Sequence, residues 1–230
     1  FNCARRLSAD FHHLKETTTT MIDLYTWSTP NGYKASIALE EMGLDYTTHP
    51  INIMKDEQFQ PHFLKVSPNN KIPAIHDQDT GQSVFESGAI LMYLANKTGT
   101  FLAPDGPRYW QAMEWLMWQM GGFGPMLGQA HHFLHFNPGK AEYAEARYAA
   151  EAKRLYGVLD RRLAEEEYVA GDYSIADMSI WPWASRFEWQ HIDMNEFANV
   201  KRWYKAIANR PAVQAGFKVP NPEREIPQVD

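Results

Sequence analysis

One cysteine, Cys3, stands in 230 residues. A single thiol excludes an intrachain disulfide and any Cys-x-x-Cys redox pair, and it suits a reducing, cytoplasmic setting. No run of about 18 apolar residues occurs, so neither a membrane-spanning helix nor a membrane partner is expected. Basic clusters are also missing. Lys and Arg number 22 against 28 Asp and Glu, and the net charge of −6 disfavours nucleic acid as a partner. Repeats and low-complexity tracts are absent. Residues 1–20 lack the apolar centre of a signal peptide and read as an N-terminal extension ahead of Met21. A histidine cluster, His131, His132 and His135, has no acidic or cysteine partner at supporting spacing. Zinc needs three or four ligands, so no metal is expected and these histidines should pack or line a cleft. What remains is a chain 44% hydrophobic and 13% aromatic, the composition of a folded globule of one or two domains.

The periodicity divides the chain. Ile22 to Tyr25 is a short apolar run that ends in the turn residues Ser28 to Gly32. Ala35, Ala38, Leu39 and Met42 then repeat at helical spacing, and Gly43 supplies a stop. Tyr46 to Ile53 reads as a second strand, parallel to the first at this spacing. Phe59, Phe63 and Leu64 suggest a short helix. Short strands near Ala74 to Asp77 and Val84 to Phe85 precede a helix from Ser87 to Lys97. The order is βαβ-α-ββα, an α/β thioredoxin-like layout over residues 21–101. After a linker at about 100–107, marked by Pro104 and Gly106-Pro107, residues 108–219 carry helical patterns alone. They include Trp110 to Met120, Tyr148 to Leu163, a capping box at Ser174 to Asp177, and a helix from Val200 that should stop near Pro211. Residues 220–230, with Pro220, Pro222 and Pro227, should be extended.

The most informative stretch is Asn69-Asn70-Lys71-Ile72-Pro73-Ala74-Ile75 followed by Glu86-Ser87-Gly88-Ala89-Ile90. A proline ahead of an apolar pair sits at the start or edge of a strand. With a cis bond it would present the Ile72 main chain outward. Glu86-Ser87 opens an apolar helical run, and free N–H groups at a helix start attract a carboxylate. Together these residues describe a platform for a peptide-like anion. The platform resembles the glutathione site of the cytosolic glutathione transferases. Ile22-Asp23-Leu24-Tyr25, Ser28-Thr29-Pro30-Asn31-Gly32 and Gly124-Pro125-Met126-Leu127-Gly128-Gln129 resemble the bacterial nu class, relatives of the yeast prion-regulator type. The similarity spans roughly Met21 to Val219. It implies a thioredoxin-like first domain, an all-helical second domain, and glutathione as cosubstrate.

Glutathione presents two carboxylates, an amine and a thiol, and each needs a partner. Ser87 and the adjacent helix start can hold the γ-glutamyl carboxylate, and Glu86 can pair with the γ-glutamyl ammonium. The main chain of Ile72, presented by Pro73, can bond the cysteinyl backbone like an added strand. Lys71 or Gln58 can reach the glycyl carboxylate. The thiol needs activation. It titrates near 8.5, and lowering that by two units takes about 2.7 kcal/mol. One hydrogen bond to a charged group supplies about 1.5–3 kcal/mol, so one or two donors suffice. The resemblance places the sulfur-facing residues at Thr29 and Asn31, a hydroxyl and an amide donor. Tyr25 and Ser28 are rival hydroxyls, and Ser28 to Asn31 would serve equally to cap the first helix. In nu-class relatives an arginine in the context of Arg147 approaches glutathione from the helical domain; an i,i+4 pair with Glu151 is the other reading.

The expected chemistry is attack by a glutathione thiolate, without a protein cysteine, on a small disulfide or on an electrophilic carbon. The nu-class resemblance favours disulfide reduction. The alternative is a glutathione-binding regulatory or interaction protein with little turnover. Trp27, Trp118, Phe123 and Phe133 are expected around the second substrate. The helix from Trp110 to Met120 is apolar on several sides, which implies a homodimer.

Overall fold

The computed structural model describes residues 21–230; Cys3 and the 1–20 extension lie outside the described residues. Strand β1 (Met21–Thr26) is followed by α1 (Pro30–Glu41), β2 (Asp45–Pro50), α2 (Pro61–Leu64), β3 (Ala74–Asp77), β4 (Gln82–Phe85) and α3 (Ser87–Thr98). The four strands form one sheet in the order β2-β1-β3-β4. β1 and β2 are parallel, whereas β3 and β4 each run antiparallel to the strand before them in the sheet. Alternation along β1 decides the layering. Ile22 and Leu24 point into the main core beneath α1 and α3, and Tyr25 points to a smaller cluster with Ile51, Phe63 and Ala74. The βαβ-α-ββα reading of the sequence is the observed order. β2 is shorter than expected because Pro50 ends it and Asn52 caps a following 3₁₀ turn.

The helical half comprises α4 (Gly106–Trp118), α5 (Gly124–Ala130), α6 (Glu142–Glu165), α7 (Ile175–Ala184), α8 (Ala198–Ala208) and α9 (Pro211–Phe217). α4 runs into a π-helical turn, Gln119–Phe123, and α5 into a second, His131–Phe136. Both wide turns fall where the sequence concentrates glycine and histidine, and such bulges recur at functional sites. The capping box at α7 is present with Asp177 in place of a longer acid. Its carboxylate accepts from Ser174 N (3.1 Å), Ser174 Oγ (3.2 Å), Val169 N (3.1 Å) and Trp203 Nε1 (2.8 Å).

The helix from Val200, α8, stops at Ala208, just before Pro211, but it is not the last: Pro211 opens α9, occupying its first turn, where a missing N–H costs nothing. α9 matters because it packs on α1, and Ser36 Oγ donates to the Gly216 carbonyl at 2.7 Å. α1 is consequently buried from Gly32 to Leu39, held by sheet, α3, α7 and α9. The helix that begins at Thr29 and Asn31 is therefore the most firmly enclosed in the first half of the chain.

Candidate active site

Two adjoining cavities open where α1, α3 and the loop before β3 meet α7 and the first π-turn. The first, of about 330 Å³, is lined by Thr29, Asn31, Gln58, Lys71, Ile72 and Trp183. The second, of about 540 Å³, shares Asn31, Lys71 and Trp183 and adds Lys34, Glu86 and Gln119. Residues drawn from four separate stretches of the sequence reading thus converge on one place.

Thr29 is the N-cap of α1. Its Oγ1 accepts from Gly32 N at 3.1 Å, and the hydroxyl hydrogen is left to donate. The turn closes tightly: a Cβ on Gly32 would lie 2.1 Å from the Trp27 carbonyl oxygen, so only glycine fits. Capping therefore leaves the Thr29 hydroxyl free to donate at the cavity it lines. Asn31 Oδ1 accepts from Trp183 Nε1 at 3.0 Å, which leaves the amide NH₂ for the cavity. Trp183 is held in turn. Gln190 Nε2 donates to the Trp183 carbonyl (2.8 Å) and faces His131 Nε2 (3.0 Å), while Tyr156 donates to Gln190 Oε1 (2.7 Å). The His131 ring stacks on Trp183 with centroids 5.4 Å apart. Burial pushes His131 down to about 3, with the charges of Arg186 and His135 acting the same way, so it is neutral and can accept. A small groove receives the indole: a Cβ on Gly124 would lie 3.2 Å from Trp183 Nε1 and 2.3 Å from Gln119 Nε2.

On the platform side, the Ile72–Pro73 bond is cis and Pro73 is buried behind the cavity-lining Ile72. Ser67 Oγ donates to the Lys71 carbonyl at 2.7 Å and steadies this loop. Gln58 Nε2 donates to Asp56 (3.3 Å), and its Oε1 is buried without a partner. Rotation of that amide exchanges donor and acceptor and would turn the NH₂ inward. Glu86 precedes α3 with φ 70° and ψ 118°, a conformation that costs a non-glycine residue about 1–3 kcal/mol. Its exposed carboxylate makes no cap; Asn69 Nδ2 approaches it at 3.5 Å. Ser87 is 4% exposed at the first turn of α3, and Lys34 Nζ donates to its Oγ at 3.2 Å.

Arg147 is not among these residues. It lines a third cavity, of about 610 Å³, with Met126, Tyr143 and Tyr148, and Glu151 pairs with Arg154 (2.7 Å) rather than with Arg147. The rival Tyr25 lies off the cavity, stacked on His49 at 4.8 Å. The expected aromatic pocket is corrected. Phe123 is fully buried against Trp118, Phe133 stacks on Tyr148, and Trp27 contributes its carbonyl to the α1 turn. Trp183 is the aromatic residue lining the first two cavities. Sequence reading missed it because it sits in an unbroken apolar helix, Ile180-Trp181-Pro182-Trp183-Ala184, indistinguishable from core. Lys34 was missed too, although its i+3 spacing from Asn31 was legible.

The sequence profile of the glutathione S-transferase N-terminal domain matches residues 21–96, and that of the C-terminal domain matches residues 123–211. The chain belongs to the glutathione S-transferase family. It is 50% identical over 198 residues to the disulfide-bond oxidoreductase YfcG of Escherichia coli K12, covering 84% of this chain and 92% of that one. A crystal structure of a glutathione transferase from Pseudomonas putida, with one glutathione disulfide bound per subunit, superposes with a TM-score of 0.82 at 45% identity. It covers 87% of this chain and 92% of its own. A Burkholderia graminis glutathione transferase with two glutathione molecules bound per subunit gives 0.80 at 43% identity, covering 87% and 89%. Among the described residues no helix is long and apolar enough to cross a membrane.

Proposed function

We propose that this protein is a glutathione-dependent disulfide-bond reductase that activates the glutathione thiol with Thr29 and Asn31 and uses no protein cysteine. One observation carries the reading: the Trp183–Asn31 hydrogen bond fixes an amide donor beside the Thr29 hydroxyl at the mouth of a helix start. Both donors face the same cavity, and a helix N-terminus adds favourable potential for a thiolate. Ser87 and the first N–H groups of α3 receive the γ-glutamyl carboxylate, Glu86 the ammonium, Ile72 and Pro73 the peptide backbone, and Lys71 or Gln58 the glycyl carboxylate. Arg147 serves a ligand extending towards α6. In net terms a substrate disulfide is reduced to two thiols as two glutathiones are oxidised to glutathione disulfide. The relatives' names favour this over conjugation and over a regulatory role without turnover.

The same reading takes residues 21–101 as the glutathione-binding domain, 108–219 as the helical domain and 220–230 as a tail, and places the enzyme in the cytoplasm. It also takes the enzyme as a two-fold dimer, supported by the apolar side chains Trp110 (64% exposed) and Met117 (52%) on α4. The test of the site is calorimetric titration with glutathione of the wild type and of Asn31→Ala and Thr29→Ala, beside turnover with a small disulfide. Binding should survive both substitutions while turnover near neutral pH falls about tenfold in each, the effect of about one unit in thiol pKa. Unchanged turnover in both variants would overturn the assignment.

A further inference from the structure

Lys34 lies on α1 one turn beyond Asn31, with 1% of its surface exposed. Its ammonium donates to Gln119 Oε1 (2.6 Å), Ser87 Oγ (3.2 Å) and Met120 Sδ (3.5 Å). All three partners are neutral, so a cation is buried at the cavity wall with no carboxylate in contact. The charges around it are few. Glu86, at the head of α3, acts on it through space, and Lys71 stands on the same cavity. Farther along α3, Tyr93 and Lys97 are engaged with Asp77. On α7 the acid is Asp177, enclosed in its capping box, and Arg186 just beyond lies over the Tyr33 ring. α9 has no ionisable residue, and on β1 Tyr25 stacks on His49 while Asp23 pairs with it. Burial pushes the Lys34 ammonium down to about 7, and Glu86 opposes that shift.

The geometry decides what Ser87 can do. An ammonium only donates, so Ser87 Oγ must accept from Lys34 and turn its own hydrogen elsewhere. Met120 Sδ, at 3.7 Å, is a weak acceptor for it. A ligand carboxylate would be a strong acceptor and would bring the counter-charge that the buried cation lacks.

We propose that Lys34 is a positioning and specificity-determining residue of the glutathione site, which orients Ser87 as a donor and selects ligands that carry a carboxylate at the γ-glutamyl end. The inference rests on the glutathione reading above. It assigns the discrimination to a buried side chain that acts through Ser87.

The experiment is calorimetry in paired buffers of different ionisation enthalpy near pH 8. The ligands are S-methylglutathione, which has no thiol proton, and the same peptide with a 4-aminobutyryl group replacing γ-glutamyl, which lacks only that carboxylate. The wild type should take up more protons on binding S-methylglutathione than on binding the analogue, because the arriving carboxylate favours the charged form of the lysine. It should prefer S-methylglutathione by about 10- to 100-fold. Lys34→Gln should lose that preference and bind the analogue as the wild type does. A Lys34→Gln variant that keeps the full preference would overturn the role of Lys34, and so would a wild type that binds both peptides equally well. The second outcome is read on the wild type and holds even where the variant fails to fold. Failure of the wild type to bind S-methylglutathione at all would instead overturn the glutathione reading itself.

Discussion

Trp183→Phe isolates the contact on which the proposed thiol activation depends. The substitution keeps the ring that stacks on His131 and removes the Nε1–H that donates to Asn31 Oδ1 at 3.0 Å. In the wild type that bond sets the amide of Asn31 with its oxygen towards α7. A net hydrogen bond of about 1 kcal/mol favours this orientation roughly fivefold over the flipped one. Without the indole donor the two orientations become comparable, and about half the molecules present an oxygen to the sulfur. If a correctly set amide contributes about 1.5 kcal/mol to the thiolate, the bound thiol pKa should rise by about 0.3 to 1 unit. Below that pKa, disulfide turnover should fall about two- to tenfold. The assay is ultraviolet absorbance of bound glutathione thiolate against pH, with rates measured alongside. The double variant with Asn31→Ala should titrate like Asn31→Ala alone, because both changes remove the same interaction. A Trp183→Phe protein that titrates like the wild type, while Asn31→Ala shifts, would refute the reasoning.

Ser87→Ala should weaken glutathione binding by about 1–3 kcal/mol, measured by calorimetry, since it deletes a donor to a charged group; full affinity would remove Ser87 from the site. Asp177 is buried, and burial raises its carboxyl to about 6 although four donors pull the other way. The folded state then holds its proton more tightly than the unfolded chain, so this group's contribution to stability falls as pH rises from about 4 to 6. The stability gap between wild type and Asp177→Asn, from denaturant melts, should narrow by on the order of 3 kcal/mol over that window. A gap that widens would mean that the four donors outweigh burial. Trp110→Glu on α4 should convert a dimer into monomers of 26.5 kDa in light scattering; a wild type already monomeric at micromolar concentration would contradict the dimer.

Much of the first domain was legible because its signals are local. The two-residue alternation of β1, Pro30 at a helix start and Pro73 ahead of β3 mark the element boundaries, and the observed element order matches the one read from them. Thr29, Asn31, Gln58, Lys71 and Ile72, named from separate motifs, line one cavity. What could not be read depends on pairing across long separations. Trp183 and Asn31 are 152 positions apart, and nothing in an apolar helix marks which tryptophan carries a polar task. Lys34 carries no mark of burial in the sequence, because the residues that enclose its ammonium, Ser87, Gln119 and Met120, lie far along the chain on α3 and the first π-turn. Arg147 stands on a different cavity from the other site residues, since its position on α6 is set by helix packing.

The central claim is that glutathione, activated by Thr29 and Asn31, supplies the attacking sulfur. The measurement that tests it most directly is glutathione-dependent reduction of a small disulfide by the wild type, Cys3→Ser and Asn31→Ala under the same conditions. The account predicts equal rates for wild type and Cys3→Ser and about a tenfold loss near neutral pH for Asn31→Ala. Loss of activity in Cys3→Ser, with Asn31→Ala unaffected, would contradict it.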